Sequence, residues 1–509
     1  MNRRAVVLLG VLIVVVLASI IGAAVLRRSD AHQDLAEASL GAMQSRSLAW
    51  SGVLAAQSEL AAQRQGLLSG EGPEVRSSWT CEVQGGVGVV RLRRWRGQDG
   101  APGPLLISEA GHLDVNHATA EMLAKLPGVD EAIAAAIVAK RGAGLECVEA
   151  LAGLSGVEER TLYGEDEPTS GASQPGEAEA GPGLLSLLTT FSFDPNVQAG
   201  IGEGNAQYAG RSRINLGLKW SQELEEAFKE RFGEDVTKMA AEIFKNREPL
   251  KKDSEFVALL QEKNVPPEEW GVMLDIFTTA NDLYRLGKVD LSSAPAPVLA
   301  AIPGIDAAAA ERIVQTRDSL AADLKQDVAW PLREGILSKE QFLQAVDWMG
   351  TRCMQYRVRV EAGIAAQGAG EIDDLDGVTL QRAVVFEAVL DVSGPVARVA
   401  YLRDVTHLDR ARAIVRESEV ARRAQDGTEG GAAEAAAPQT PRDPAPVKDR
   451  AARMGGRAQE KKKEDRDTRA DKAKDSEVEA PGQEVPVPEL AQPSPTDRRL
   501  GRWTSKPRR

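Results

Sequence analysis

The sequence predicts an α+β protein: one long N-terminal helix packed on a small antiparallel sheet, a large all-helical insertion within that sheet, and a disordered C-terminal tail. Three observations predict this. An apolar run opens the chain, a 29-residue segment recurs at an offset of 176 residues (113 to 289), and valine-rich stretches alternating with arginine flank the recurring region.

Composition sets the bounds. The chain has 509 residues, 43% hydrophobic and 27% charged, with 62 basic against 75 acidic side chains and a formal charge of −13. That length allows several domains and a sizeable core. Three cysteines do not make a disulfide-rich scaffold, and four scattered histidines (His32, His112, His117, His407) do not make a histidine-rich metal centre. A pI near 5.2 opposes general attraction to phosphate backbones. The chain carries no Gly-x-Ser-x-Gly, His-Glu-x-x-His, Walker-type loop or Cys-x-x-Cys, so nothing in it calls for an enzyme.

The N-terminus comes first. Asn2-Arg3-Arg4 precedes Ala5–Leu26, 22 residues in which Ser19 is the only polar side chain, and Arg27-Arg28 closes the run. At ~1.5 Å per residue such a helix is ~33 Å long, enough to cross a hydrocarbon core of ~30 Å. A cleaved secretory signal has a shorter apolar region. Residues 29–65 continue without proline and are rich in Ala, Leu, Gln and Glu. Leu35, Leu40, Leu48, Leu54 and Leu60 supply the apolar positions of an amphipathic helix leading into water.

The recurring segment is next. Residues 113–141 and 289–317 align without a gap and share 13 of 29 positions, among them Pro127/Pro303, Gly128/Gly304, Asp130/Asp306 and Arg141/Arg317. A looser copy lies at 214–247. The pattern is a helix–hairpin–helix. Asn116 or Ser292 is placed to cap the first helix; Pro-Gly breaks the chain; Asp130 or Asp306 opens the second helix at its positive dipole end. DNA-binding hairpins of this kind present backbone N–H groups to a phosphate through Pro-Gly-Ile-Gly. Here a carboxylate stands where the second glycine would be, so nucleic acid is not the expected partner.

Strands are expected at Trp79–Val83 and Val87–Trp95, at Gln355–Ile364, and at Val378–Val392 with Val396–Leu402. The domain organisation is therefore 1–28, a basic leader and transmembrane helix; 29–110, the amphipathic helix and first strands; 111–350, the helical insertion with its repeats; 351–410, the closing strands; and 411–509, a charged tail. That tail has Trp503 as its single aromatic, too little apolar surface to order itself.

The order of these parts resembles the K-type minor pseudopilin of the type II secretion system (general secretion pathway protein K) over about residues 3–405. The segment Ile107-Ser-Glu-Ala-Gly-His-Leu-Asp-Val-Asn116 looks like the family's Asp-Glu-x-Gly-Lys-Leu-Asn-Leu-Asn phrase. Gly156–Gly164, Leu188–Ser192 and Arg213–Leu216 look like its later landmarks. The resemblance implies a pilin-like fold and a non-enzymatic subunit at the tip of a periplasmic pseudopilus, anchored in the inner membrane by one span. It also implies I- and J-type minor pseudopilins and other pseudopilus subunits as partners, and processing by prepilin peptidase. Processing before Ala5 would put apolar Leu9 at the mature fifth position, where non-tip subunits carry Glu; Arg4 departs from the glycine that the peptidase takes. Calcium in the helical domain is a further implication. Its acidic candidates, Glu165-Asp166-Glu167, Asp194, and Asp373-Asp374 with Asp376, lack the twelve-residue loop spacing. Cys81, Cys147 and Cys353 allow one disulfide and an orphan. The alternative is a membrane-anchored DNA receptor of the competence type, which also joins a membrane helix to helix–hairpin–helix units.

Overall fold

The computed structural model describes residues 3–83, 86–95, 103–142, 144–163, 183–365 and 378–408; for 3–11, 14, 159 and 160 it describes the backbone only. The tail from 411 onward, Glu165–Glu167 and Asp373–Asp376 lie outside the described residues. So do the side chains of Arg4, Ala5 and Leu9, which fall on the first helix.

The chain begins with α1 (Arg3–Ala62), unbroken for 60 residues, and a short α2 (Arg64–Leu68). Strands β1 (Ser78–Val83), β2 (Gly86–Leu92) and β3 (Leu106–Ser108) follow. The helical insertion then opens with a two-residue strand, β4 (Leu113–Asp114), and the helix pair α3 (Ala120–Ala124) and α4 (Glu131–Arg141). After α5 (Glu159–Tyr163) come β5 (Leu188–Thr189) and β6 (Phe193–Pro195). The loose copy contributes β7 (Ile214–Asn215), α6 (Gln222–Phe232) and α7 (Glu234–Phe244); α8 (Asp253–Glu262), α9 (Pro267–Ile276), β8 (Phe277–Thr278) and β9 (Tyr284–Leu286) complete that part. The last copy is β10 (Val289–Asp290), α10 (Ala296–Ala301) and α11 (Ala307–Arg317). Helices α12 (Ala322–Lys325), α13 (Trp330–Arg333) and α14 (Lys339–Ala345) and strand β11 (Met349–Gly350) close the insertion. The last strands among the described residues are β12 (Gln355–Ala365), β13 (Leu380–Asp391) and β14 (Arg398–Asp404).

Strands from both sides of the insertion build one antiparallel sheet in the order β1-β2-β12-β13-β14, with β3 also on β12. Val360 faces Leu92 across β12–β2, and Tyr356 faces Ser108 across β12–β3. The alternation of valine and arginine sorts the two faces. Val358, Val360, Ala362, Val90 and Leu92 pack with Leu48, Val53, Ala56 and Leu60 of α1 in one apolar cluster. The other face is a charged ladder: Arg91–Glu361 at 2.7 Å, Arg357–Glu387 at 3.0 Å and Arg359–Glu387 at 2.9 Å. Gly52 lets the helix approach closely, since a Cβ there would run into Val90 and Val360.

The insertion has its own core, around Trp270, Trp330 and Phe342. All three copies share a device that carries them into their helices. A two-residue strand pairs in parallel with a distant one (β4–β5, β7–β8, β10–β11), and its second residue folds an Asx turn. Asp114 accepts from Asn116 N at 2.8 Å, Asn215 from Gly217 N at 2.7 Å and Asp290 from Ser292 N at 3.0 Å.

One capping expectation fails. Thr119 and Pro295, not Asn116 and Ser292, hold the N-cap positions of α3 and α10. The Asx turn uses up three residues before the helix begins, and Asn116 is turned instead onto both backbone groups of Leu145. Cys81, Cys147 and Cys353 are all free thiols.

Candidate functional site

The hairpins were the first candidates. In both close copies the proline breaks the helix, and glycine takes a left-handed conformation, φ 74° at Gly128 and 81° at Gly304. Asp130 and Asp306 are then N-caps: each Oδ1 accepts the third-residue N–H, from Ile133 and from Ala309, at 2.7 Å. One N–H donor at each helix start is thus taken by a fixed carboxylate, whose negative charge also opposes a phosphate. Gly304 is also packed against the Gln341 backbone, and Gly128 faces Thr161. The shared arginines lock each pair from behind: Arg141 donates to Val115 O and Ala118 O at 2.9 and 2.6 Å, and Arg317 to Leu291 O and Ala294 O at 3.2 and 2.5 Å. Pro127, Gly128, Asp130, Pro303, Gly304 and Asp306 are structural in this arrangement. The chain brings the two hairpins together, with Lys125 Nζ reaching Ile302 O at 3.4 Å.

The second candidate is the junction of insertion, sheet and α1–α2. Asp194, on β6, is buried and receives Arg352 Nε at 2.6 Å and Arg285 Nη2 at 2.7 Å. Arg352 also donates to Leu68 O at 2.8 Å and to Pro195 O and Val197 O at 2.7 Å, so one side chain ties α2, the insertion and the approach to β12 together. Burial alone would raise the Asp194 pKa, but the guanidiniums of Arg352, Arg285 and Arg213 outweigh it and hold the carboxyl below the usual range. Asp253 is depressed in the same way, held by Lys288 Nζ at 2.8 Å with Arg285 nearby. A second tie crosses the sheet's charged face: buried Glu109 receives Arg357 Nε at 2.6 Å, and Glu149 receives Arg403 at 2.7 Å. Cys353 sits beside Ala110 and Gln355, and burial pushes its thiol up to about 12.

Asp194 was the one calcium candidate among the described residues. Both its oxygens are spent on arginines, a donor set that excludes a cation. Among the described residues, no group of three or more His, Cys, Asp or Glu is placed to hold a metal.

The third candidate is α1 itself. Of the five leucines expected to mark its apolar side, Leu48 and Leu60 are buried on the sheet, but Leu40 and Leu54 are 61% and 43% exposed. Leu40, Met43, Trp50 and Leu54 recur at helical spacing on the side away from the sheet. The rod therefore has two opposite apolar faces, and the outer one has no partner among the described residues. Trp50 is the residue sequence reasoning missed; the seven-residue step from Met43 was the available signal. Nearer the N-terminus Leu12, Val15, Val16, Leu17, Ile20 and Val25 are exposed all round the helix. Among the residues described in full, no helix is long and apolar enough to cross a membrane. The first part of the apolar run lies outside those residues.

No family model matches the chain, and no curated protein matches it. Among solved structures it is similar to the GspK-GspI-GspJ complex from the enterotoxigenic Escherichia coli type 2 secretion system, at 11% identity and a TM-score of 0.26. That match covers 71% of this chain and 97% of the other.

Proposed function

We propose that this chain is a K-type minor pseudopilin: a non-enzymatic, membrane-anchored assembly subunit at the tip of a type II secretion pseudopilus. The observation that carries this reading is the two-faced rod. A soluble globular helix needs one apolar face, but α1 has one face seated on the sheet and an opposite one, through Trp50, left for another subunit. Two features support it. The sheet is completed by strands from both sides of a large helical block, and that block makes the tip broad. The apolar run Ala5–Leu26 serves as a single inner-membrane span, with the described sheet and insertion in the periplasm.

In this role I- and J-type minor pseudopilins are the partners, and Trp50 with Met43 and Leu54 contacts their helices. Prepilin peptidase acts between Arg4 and Ala5, which leaves Leu9 at the mature fifth position with no carboxylate to offer a subunit above. Nucleic acid is no partner in this role, because Asp130 and Asp306 place a capping carboxylate at each helix start where a phosphate would sit. The test is co-purification from membranes with tagged I- and J-type subunits, for wild type and Trp50→Arg. Loss of both partners in the variant, with the chain still folded, supports the assignment. Partner-free wild type, or salt-sensitive duplex DNA binding in a gel-shift assay, refutes it.

A further inference from the structure

The junction gathers a dense set of charges around a small cleft. Arg213, Arg285 and Arg352 converge there with Asp194, Asp253 and Asp275. Lys288 sits on Asp253 at 2.8 Å, and the charge of Asp347 also acts on it. The carboxylates are heavily committed. Asp194 serves two arginines. Asp275 accepts three backbone N–H groups, from Ala199 at 2.6 Å, Gly200 at 2.8 Å and Ile201 at 3.2 Å. Arg213 is left with a long contact to Asp275 Oδ1 at 3.5 Å and one to its carbonyl at 3.0 Å.

The other nearby carboxylates are turned elsewhere. Asp347 is bonded to Ser254 N and Oγ, each at 2.8 Å. Asp290 is engaged with Ser292 and Ser293, and burial raises its pKa. Asp327 pairs with Arg333 at 3.0 Å.

Arg213 is 6% exposed at its side chain, and its Nη1 is buried with no hydrogen-bond partner. A buried guanidinium nitrogen left without an acceptor is costly, and more so beside two like charges. Burial, with Arg285 and Arg352 alongside, lowers the Arg213 pKa to about 9, the physical sign of a cation short of countercharge. The open space in the cleft is of the order of a water molecule or a monatomic ion, too small for a peptide or a nucleotide.

We propose that this cleft binds a chloride-sized monovalent anion, held by Arg213 Nη1 beside the guanidiniums of Arg285 and Arg352. The anion supplies the acceptor that Arg213 Nη1 lacks and stiffens the joint between insertion and rod.

The experiment is thermal unfolding of the full chain in detergent, at fixed ionic strength, as sodium gluconate is replaced by sodium chloride. The midpoint should rise saturably with chloride. In Arg213→Gln the chloride concentration for half the effect should rise about tenfold or more, as expected for loss of one charged hydrogen bond. No response in wild type, the outcome if water alone fills the cleft, overturns the proposal, as does an equal response in the variant. Should Arg213→Gln fail to fold, chlorine-35 line broadening decides on wild type alone: saturable excess broadening supports the site, and its absence overturns it. Crystals grown in bromide should place an anomalous peak beside Arg213 Nη1; peaks at other positions only are the opposing result.

Discussion

Arg352→Met is the substitution with the largest expected effect on the joint between insertion and rod. The guanidinium makes four hydrogen bonds, one to Asp194 and three to the carbonyls of Leu68, Pro195 and Val197, all between 2.6 and 2.8 Å. Methionine keeps most of the stem volume but leaves Asp194 with Arg285 alone and three carbonyls short of a donor. Removing one partner of a buried pair costs ~3–5 kcal/mol. A loss of ~4 kcal/mol lowers the folding equilibrium about a thousandfold. Urea unfolding of the full chain, followed through the emission of buried Trp270 and Trp330, measures it. Arg46→Met is the comparison, because the Arg46–Asp404 pair is 62% exposed at its arginine and such surface pairs contribute ~0–1 kcal/mol. If Arg352→Met costs no more than Arg46→Met, Arg352 does not hold the joint.

Other outcomes follow from the same geometry. Asp194 and Asp253 have folded-state pKa values below their unfolded ones, so their stabilisation is full above about pH 4 and fades as pH falls below it; Asp194→Asn should flatten that acid limb in a pH series of urea midpoints. Asp306→Ala should cost ~1 kcal/mol as a lost N-cap. Gly304→Ala should cost more, ~2 kcal/mol or above, because it adds left-handed strain to contact with the Gln341 backbone; equal midpoints for the two would contradict this. Trp50→Ala should leave the urea midpoint within ~0.5 kcal/mol yet weaken partner capture about thirtyfold if Trp50 anchors the interface. Under native alkylation Cys81, exposed, should react first and Cys353, buried with its thiol pushed up, last; mass spectrometry of labelled peptides reads the order.

The strands were legible because alternation is local: Gln355–Ile364 carries its own two-faced pattern, and the structure extends it by one residue to Ala365. The hairpins were legible because two copies kept the same turn residues. The caps were misread because Asn116 and Ser292 are good caps in isolation; the Asx turn that displaces them depends on a strand pairing with residues 188–189 and 349–350. The two faces of α1 were hidden for a different reason: apolar residues on opposite sides of a helix cancel in any one-sided pattern, so Leu40 and Leu48 read as one stripe. Nothing local signalled the charged joint. Asp194 and Arg352 stand 158 positions apart, and each reads alone as a surface residue.

Ser108 and Tyr356 are directly opposed in the sheet, so the chain leaves and rejoins the layer at neighbouring points. During synthesis at ~5–20 residues per second, the roughly 250 residues between them take about 10–50 s to emerge. Through that delay β2 has β1 on one side and a bare edge on the other, a template for any passing strand. The helical block, whose close-range pairs need no sheet, is able to collapse first and deliver β12 to the waiting edge. A translational pause or a slow-folding variant inside that block should therefore show itself as aggregation through the edge of β2.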